Sequence, residues 1–430
     1  MATEPSEEPG QSVAPMTAVR PSRWSGIVRG FGPGFVSGAS ANDPTTVGSI
    51  AVVAAATGYR TAWLVVLLLP MLALVQSIAA SVAAVSQLSL QQAIARTYGR
   101  FWSVLGGITI VAVGLLTLGA DVRAGADALA LFTHMPADYF VVPLVAAAGW
   151  LLATRSYMRI ERILASFTLV FLFYVAAAIL AKPDWGAVAR AIFVPHVDLS
   201  SGFVFGAIAL LGTTLTGYVY FWESIEVAER RPEPAQFGAV NADAVLGMLV
   251  AGSSFLFILI ATAATAGKHH AAIETAADAA IALKPLAGGW DERLFGAGLL
   301  ASAAIAIPVI AATNGYVVAQ TFGWRASLTF EPRQARSFYG AIFGSLVVAG
   351  AFAFFPISTM AYLYWASIVA GLSTPITLIL MLLLARNRTT MGDRPLKPLT
   401  VCAGWVVTGV VTVSAAGFIL SLAAIAHRSH

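Results

Sequence analysis

Asp43-Pro44-Thr45-Thr46 sets a carboxylate and two hydroxyls inside an otherwise apolar stretch, with residues 31–40 before it and 47–56 after it. A carboxylate at the centre of a membrane span costs several kcal/mol on insertion scales, so such a residue faces a cavity or a partner and marks a site. Pro44 removes one backbone donor and disfavours helix at the residue before it, so the span is expected to break where the charge sits. A broken helix with an acid at mid-membrane is how an ion carrier builds its site. A second interruption reads Gly212-Thr213-Thr214-Leu215-Thr216-Gly217-Tyr218, between helical runs at 203–211 and 219–227. Each mid-helix glycine costs up to about 1 kcal/mol. The threonine hydroxyls either join freed carbonyls in serving an ion or bond back to their own helix.

The elements that must hold these groups are membrane helices. The chain has 430 residues, a mean hydropathy of +0.80, 58% apolar residues and only 11% charged residues, far below the roughly one quarter of soluble domains. Apolar runs long enough to span number about eleven, centred near Asp43, Leu72, Val113, Val145, Phe171, Thr214, Phe255, Ala306, Val347, Val369 and Val413. The breaks at Asp43 and at Thr213 to Thr216 fall in spans one and six, five helices apart, the offset an inverted repeat demands. The expected fold is therefore an all-α membrane protein, a LeuT-like inverted repeat of five plus five helices with broken helices 1 and 6 and an additional C-terminal helix. The expected divisions are a disordered cytoplasmic tail at 1–25, a first repeat at 26–197, a second at 198–385, and a loop with the last span at 386–430.

Short loops rich in Lys and Arg stay in the cytoplasm. With the N-terminus inside and the C-terminus outside, 17 of the 25 basic residues fall on inside segments. The expected location is thus the cell (inner) membrane, multi-pass, with the sequence pI near 9.3 reflecting loops against anionic lipid and giving no argument for nucleic acid. Residues 1–25 lack the apolar core of a signal peptide. Helical spacing over 271–286 predicts a short surface helix. His269 and His270 are adjacent, point apart on a helix and have no third ligand nearby, so a solvated loop is the better reading. Cys402 is the single cysteine, which excludes an intramolecular disulfide, and is expected to be a small lipid-facing or packed residue.

Other polar residues within spans divide between pathway and packing. Arg123 and Asp127 stand four apart and can simply pair, with Asp121 pointing elsewhere. Glu223 is expected to line an inner vestibule, Glu226 and Glu229 to join loop salt bridges. Asn314, Gln320 and Ser367 face the pathway or bond between helices. No Gly-x-Ser-x-Gly, no His-Glu-x-x-His and no histidine within a span is present, so an intramembrane enzyme is not expected.

Taken together, several stretches resemble the Nramp divalent-metal transporters. They are Gly32-Pro33-Gly34-Phe35 with Ser37-Gly38-Ala39-Ser40 and Asp43-Pro44, 64–81 with Gln76, Leu118-Gly119-Ala120-Asp121, Gly212-Thr213-Thr214, Ile307-Pro308-Val309, Phe322-Gly323-Trp324-Arg325, Phe338-Tyr339-Gly340 and Leu363-Tyr364-Trp365. In that family an acid and an asparagine of the first span bind the metal with the sixth-span motif. The resemblance implies a metal site of Asp43, Thr46 (where the asparagine stands), Thr213 and Thr216. Thr216 occupies the position of the family's methionine, so the thioether that favours soft metals is missing, and oxygen donors suit Mg, Ca and Mn. This pattern resembles the Nramp-related magnesium transporters. Tyr218 stands where the family has a histidine and Ala124 where it has a glutamate, which removes two members of the proton route.

The expected function is secondary transport of a divalent cation, Mg2+ or Mn2+, without proton coupling, by alternating access around the two breaks. Ser40, Asp121, Tyr218, Glu223, Asn314 and Ser367 are candidates for pathway or coupling roles. Alternatives are a proton-coupled Mn2+/Fe2+ importer and, on the same architecture, a carrier of cationic amino acids or polyamines; Asp43 would repel a substrate carboxylate. No cofactor is expected, and the partners are the ion and the bilayer. Oligomeric state stays open, with a monomer sufficient.

Overall fold

The computed structural model describes residues 33–154, 171–198, 200–269 and 291–428. Among them every regular element is helical: α1 Pro33–Ser40, α2 Pro44–Thr57, α3 Ala62–Ser86, α4 Leu90–Tyr98, α5 Arg100–Thr133, α6 Asp138–Thr154, α7 Phe171–Leu180, α8 Trp185–Phe193, α9 Ser201–Thr214, α10 Gly217–Arg230, α11 Phe237–His269, α12 Asp291–Phe322, α13 Arg336–Phe352, α14 Thr359–Arg386, α15 Arg388–Met391 and α16 Pro398–Arg428. Among the described residues seven stretches are long and apolar enough to cross a membrane, the first of them running through α2 and α3, and α6 and α13 are shorter apolar helices. With α1 and α2 as one broken span and α9 and α10 as another, ten of the expected eleven are seen in the described residues; of the span expected near Phe171 the described residues include α7. The tail at 1–25, His270 and the surface helix at 271–286 lie outside the described residues.

The two broken spans face each other, α1 packing on α10 and α2 on α9. Spans three and eight, which an inverted repeat makes equivalents, are joined along the long contact of α5 with α12. Burial sorts the bundle: the apolar window of α12 is 83% buried, that of α16 only 28%. The extra C-terminal helix therefore lies on the periphery, with Cys402 exposed near its start, as a lipid-facing residue would be.

Small residues set how closely α1 and α9 approach their neighbours, as is usual where helices pack without a hydrophobic force from lipid. A Cβ on Gly38 would stand 2.5 Å from the Gly247 carbonyl oxygen of α11. One on Gly212 would stand 2.0 Å from the Ser367 carbonyl oxygen and 2.4 Å from the Gly371 nitrogen of α14. Gly212 thus serves close approach and leaves the helix intact. The second break is consequently shorter than the sequence suggests: α9 continues through Thr214, whose hydroxyl bonds back to Leu210 at 2.7 Å, and α10 resumes at Gly217. Only Leu215 and Thr216 leave the helix, the latter in extended geometry (φ −62°, ψ 131°).

Gly212→Ala has backbone on both sides and nothing that can yield, so it should cost about 1–3 kcal/mol or more. The thermal transition in detergent should drop by several degrees, whereas Gly344→Ala, with open space around its Cβ position, should leave it unchanged or raise it.

Candidate functional site

Asp43 is the N-cap of α2. Its backbone is extended (φ −65°, ψ 163°), Pro44 opens the helix, and its carboxylate accepts the Thr46 N–H through Oδ1 at 2.6 Å. The negative charge thus sits at the positive end of the α2 dipole, where it stabilises the helix it interrupts. Oδ2 accepts from the Tyr218 hydroxyl on α10 at 2.8 Å, and the same hydroxyl lies 2.8 Å from the Ser40 carbonyl oxygen. A phenol has one hydrogen and donates to one of the two at a time.

Thr46 meets Thr213 twice. Its hydroxyl donates to the Thr213 carbonyl at 3.3 Å and accepts from the Thr213 hydroxyl at 2.9 Å. The Thr216 hydroxyl lies 2.7 Å from the Gly212 carbonyl and 2.9 Å from that of Thr213, so its hydrogen is turned back on α9 while its lone pairs stay available. Of the two roles open to these threonines, Thr214 and Thr216 donate back to carbonyls of α9, and Thr46 with Thr213 bridges the two breaks.

A second carboxylate stands at the same helix start. Asp121 of α5 accepts through Oδ1 from both the backbone N–H (3.0 Å) and the hydroxyl (2.6 Å) of Thr45, while its Oδ2 has no partner. The charges of Asp43 and Asp121 are close enough to act on each other, and Tyr218 lies within reach of both. Two carboxylates in a desolvated space concentrate negative potential, which a divalent cation offsets. Asp43 is 2% exposed and Asp121, Thr46, Thr213, Thr216 and Tyr218 are 0–3% exposed, so the centre is closed to solvent. It is built of carboxylate, hydroxyl and carbonyl oxygens, with neither sulfur nor imidazole among these groups.

The remaining candidates scatter. Ser40 enters through its carbonyl, its hydroxyl donating to Ser37 at 2.8 Å. Ser367 pairs with Ser49 across α14 and α2 at 2.7 Å, an interhelical bond. Gln320 accepts from Ser89 at 2.7 Å. Asn314 is wedged against Gly114, where a Cβ would stand 2.3 Å from its Oδ1, and neither amide atom has a partner. Glu223 is buried beside Gln76 of α3. Glu229 accepts from the hydroxyls of Tyr316 (2.8 Å) and Ser327 (3.2 Å), because α10 ends against α12 and the loop after it. Arg123 pairs with Asp127 at 3.3 Å and with Asp138 at 2.7 Å, the structural alternative.

Thr45, Asn42, Ser49 and Gln76 were not singled out as site residues by sequence. Asn42 donates to the Ala251 carbonyl of α11 at 3.2 Å and accepts from Ser254, tying the first break to α11. Its position one residue before Asp43 was the available signal; for Thr45 there was only its place in the first turn of α2.

The sequence matches the profile of the Nramp family, described as natural resistance-associated macrophage protein-like, over residues 34–421. A divalent metal cation transporter MntH of Bradyrhizobium diazoefficiens is 24% identical over 403 residues, covering 91% of this chain and 88% of that protein. One from Yersinia pestis is 25% identical over 310 residues, 68% of this chain and 72% of the relative. The Eremococcus coleocola manganese transporter superposes with a TM-score of 0.73 at 19% identity, over 93% of this chain and 88% of that one. Mhp1, a nucleobase-cation-symport-1 family transporter, superposes with a TM-score of 0.55 at 16% identity, over 92% of each chain. These likenesses show the fold, a LeuT-like arrangement with broken helices one and six.

Tyr218→Phe removes the hydroxyl that reaches Asp43 and leaves a buried acceptor unpaired, at a cost of about 1–3 kcal/mol. Thermal melting of the purified protein without divalent metal should show a lower transition for this variant than for wild type.

Proposed function

The chain belongs to the Nramp family, and from that premise we propose that it is a secondary transporter carrying a divalent metal cation across the membrane. Mg2+ and Mn2+ are the cargo this reading favours. The observation that carries it is the Asp43 carboxylate, buried where two interrupted helices meet and surrounded by the oxygens of Thr46, Thr213 and Thr216. Hard oxygen donors suit Mg and Mn, and a thioether at Thr216 would have favoured softer ions. Among the described residues no three His, Cys, Asp or Glu side chains converge, which suits an ion that keeps several of its waters and takes one or two carboxylates. The MntH relatives are described as divalent metal cation transporters, which supports the same class of cargo.

The ion would enter by displacing the Tyr218 hydroxyl from Asp43 Oδ2, using the Thr213 carbonyl and the available lone pairs of Thr46 and Thr216. The closed centre would be one state of an alternating-access cycle, opening to either side as the half-helices α1 and α10 or α2 and α9 move. Transport would run down the electrochemical gradient, since Tyr218 and Ala124 stand where a proton route would need titratable groups. The proton-coupled alternative draws on one observation, the buried Asp121 whose Oδ2 has no partner. The N-terminus is assigned to the cytoplasm of the inner membrane on the distribution of Arg and Lys.

Proteoliposomes with a set membrane potential provide the test. Asp43→Ala should reduce Mn2+ and Mg2+ uptake at least about tenfold, the equivalent of roughly 1.4 kcal/mol or more of lost ion stabilisation. Thr216→Met should shift preference towards Cd2+. A luminal pH dye should stay flat during uptake; acidification in proportion to metal entry would establish proton coupling instead.

A further inference from the structure

α5 and α12 run antiparallel, since Gly107 meets Thr321, Gly114 meets Asn314 and Gly125 meets Ala303. Between them lies a groove of about 300 Å³ lined by Val104, Ile108, Val111 and Leu115 of α5 and by Val318 and Phe322 of α12. The α5 residues recur at helical spacing along one face. Ile108 is 63% exposed and Phe322 54%, so the groove opens on the outer surface of the bundle, where a spanning helix meets lipid. The hydroxyl at its floor is satisfied inside the protein: Thr321 donates to the Val317 carbonyl and accepts from Gln91, both at 2.7 Å. Nothing polar is left there for a ligand, which must be apolar over this length.

The groove is long and thin. Val104 to Leu115 covers about 16 Å of helix at 1.5 Å per residue, and 300 Å³ spread over that length is the girth of one hydrocarbon chain, too narrow for a helix about 10–12 Å across. One end carries different chemistry. Arg100 stands four residues before Val104 and Arg325 three after Phe322, and the antiparallel pairing brings the start of α5 and the end of α12 to the same end. Both guanidinium side chains are exposed, and neither makes an ion pair among the described residues. No acidic residue occurs on α5 before Asp121 or on α12 after Glu292, and Glu229, which meets the loop after α12, is taken up by Tyr316 and Ser327. Around this end are four exposed aromatic residues, Phe101 with Trp102 at 5.4 Å and Phe322 stacked on Trp324 at 5.2 Å. Such rings settle at the headgroup level of a bilayer.

We propose that the α5–α12 groove binds one anionic phospholipid, with an acyl chain along Val104 to Leu115 and the headgroup phosphate on Arg100 and Arg325. The guanidinium fork matches a phosphate, and basic pockets between spans favour headgroups of net negative charge. The site rests on α5 and α12 being membrane spans and is independent of the cargo.

Native mass spectrometry of the delipidated full-length protein in detergent, titrated with phosphatidylglycerol or with phosphatidylcholine of the same acyl chains, tests this. Wild type should take up one phosphatidylglycerol ahead of all others and more tightly than phosphatidylcholine. Arg100→Gln and Arg325→Gln should each weaken that first event about fivefold, and together they should abolish the preference. Arg190→Gln should change nothing, because α8 packs against Gly58–Thr61 at the start of α3, the opposite end of the molecule. Ala112→Phe fills the groove from an exposed position on α5 and should remove the first event while melting, without lipid, as wild type does. If that variant folds poorly, the two arginine variants, altered only at exposed side chains, decide. Equal affinity for the two lipids, a first event unchanged in the double arginine variant, or displacement of the lipid by inorganic phosphate would overturn the site. A wild-type dimer that Ala112→Phe converts to a monomer would assign the groove to a second copy and overturn it as well.

Discussion

The Asp43 carboxylate holds the two interrupted helices in register. It caps α2 through the Thr46 N–H and receives the Tyr218 hydroxyl from α10, so one side chain both satisfies a helix end and joins the halves of the molecule. In hydrocarbon, backbone groups released by a break must be satisfied inside the protein. At the first break Asp43 and Asp121 take the Thr46 and Thr45 N–H groups and the Tyr218 hydroxyl reaches the Ser40 carbonyl, and at the second Thr46 reaches the Thr213 carbonyl and Thr374 of α14 the Leu215 carbonyl, both at 3.3 Å. The rest of the bundle then has to bring α5 and α14 close enough to supply those partners.

Closeness comes from glycine. Gly38 lets α1 lie on the α11 backbone, and Gly212 lets α9 lie on that of α14. These contacts are backbone to backbone and cannot relax by a rotamer change. The same surfaces therefore fix the position of the centre, since α1 leads to Asp43 and α9 to Thr213. Packing and the centre share these contacts, because Gly38 lies two residues before Ser40 and Gly212 directly before Thr213.

Polar groups away from the centre fall into two kinds. Arg123 with Asp127 and Asp138, Glu229 with Tyr316 and Ser327, and Ser49 with Ser367 are satisfied pairs that lock helices together. Asp121 Oδ2, Glu223 Oε1 and the Asn314 amide are buried and unpartnered. The first kind stabilises the bundle; the second leaves buried polar atoms without a hydrogen bond inside the protein.

By itself the sequence determined the class, the two interruptions and their offset, because these depend on hydropathy, on the chemistry of proline and on the cost of a charge in lipid, all of which are local. Asp43 was legible for that reason, as were Thr46 and Thr213 through a family pattern. Partners across helices were not legible. Thr45 to Asp121 spans 76 residues and Gln76 to Glu223 spans 147, and no local rule says which face of one helix meets which face of another. Gly212 reads in sequence as a helix breaker, but its role is close approach, because the cost of a Cβ there comes from α14, far along the chain. Which hydroxyls turn back on their own helix and which cross to the next was decided by tertiary structure alone, since that choice rests on distances between elements that only packing sets.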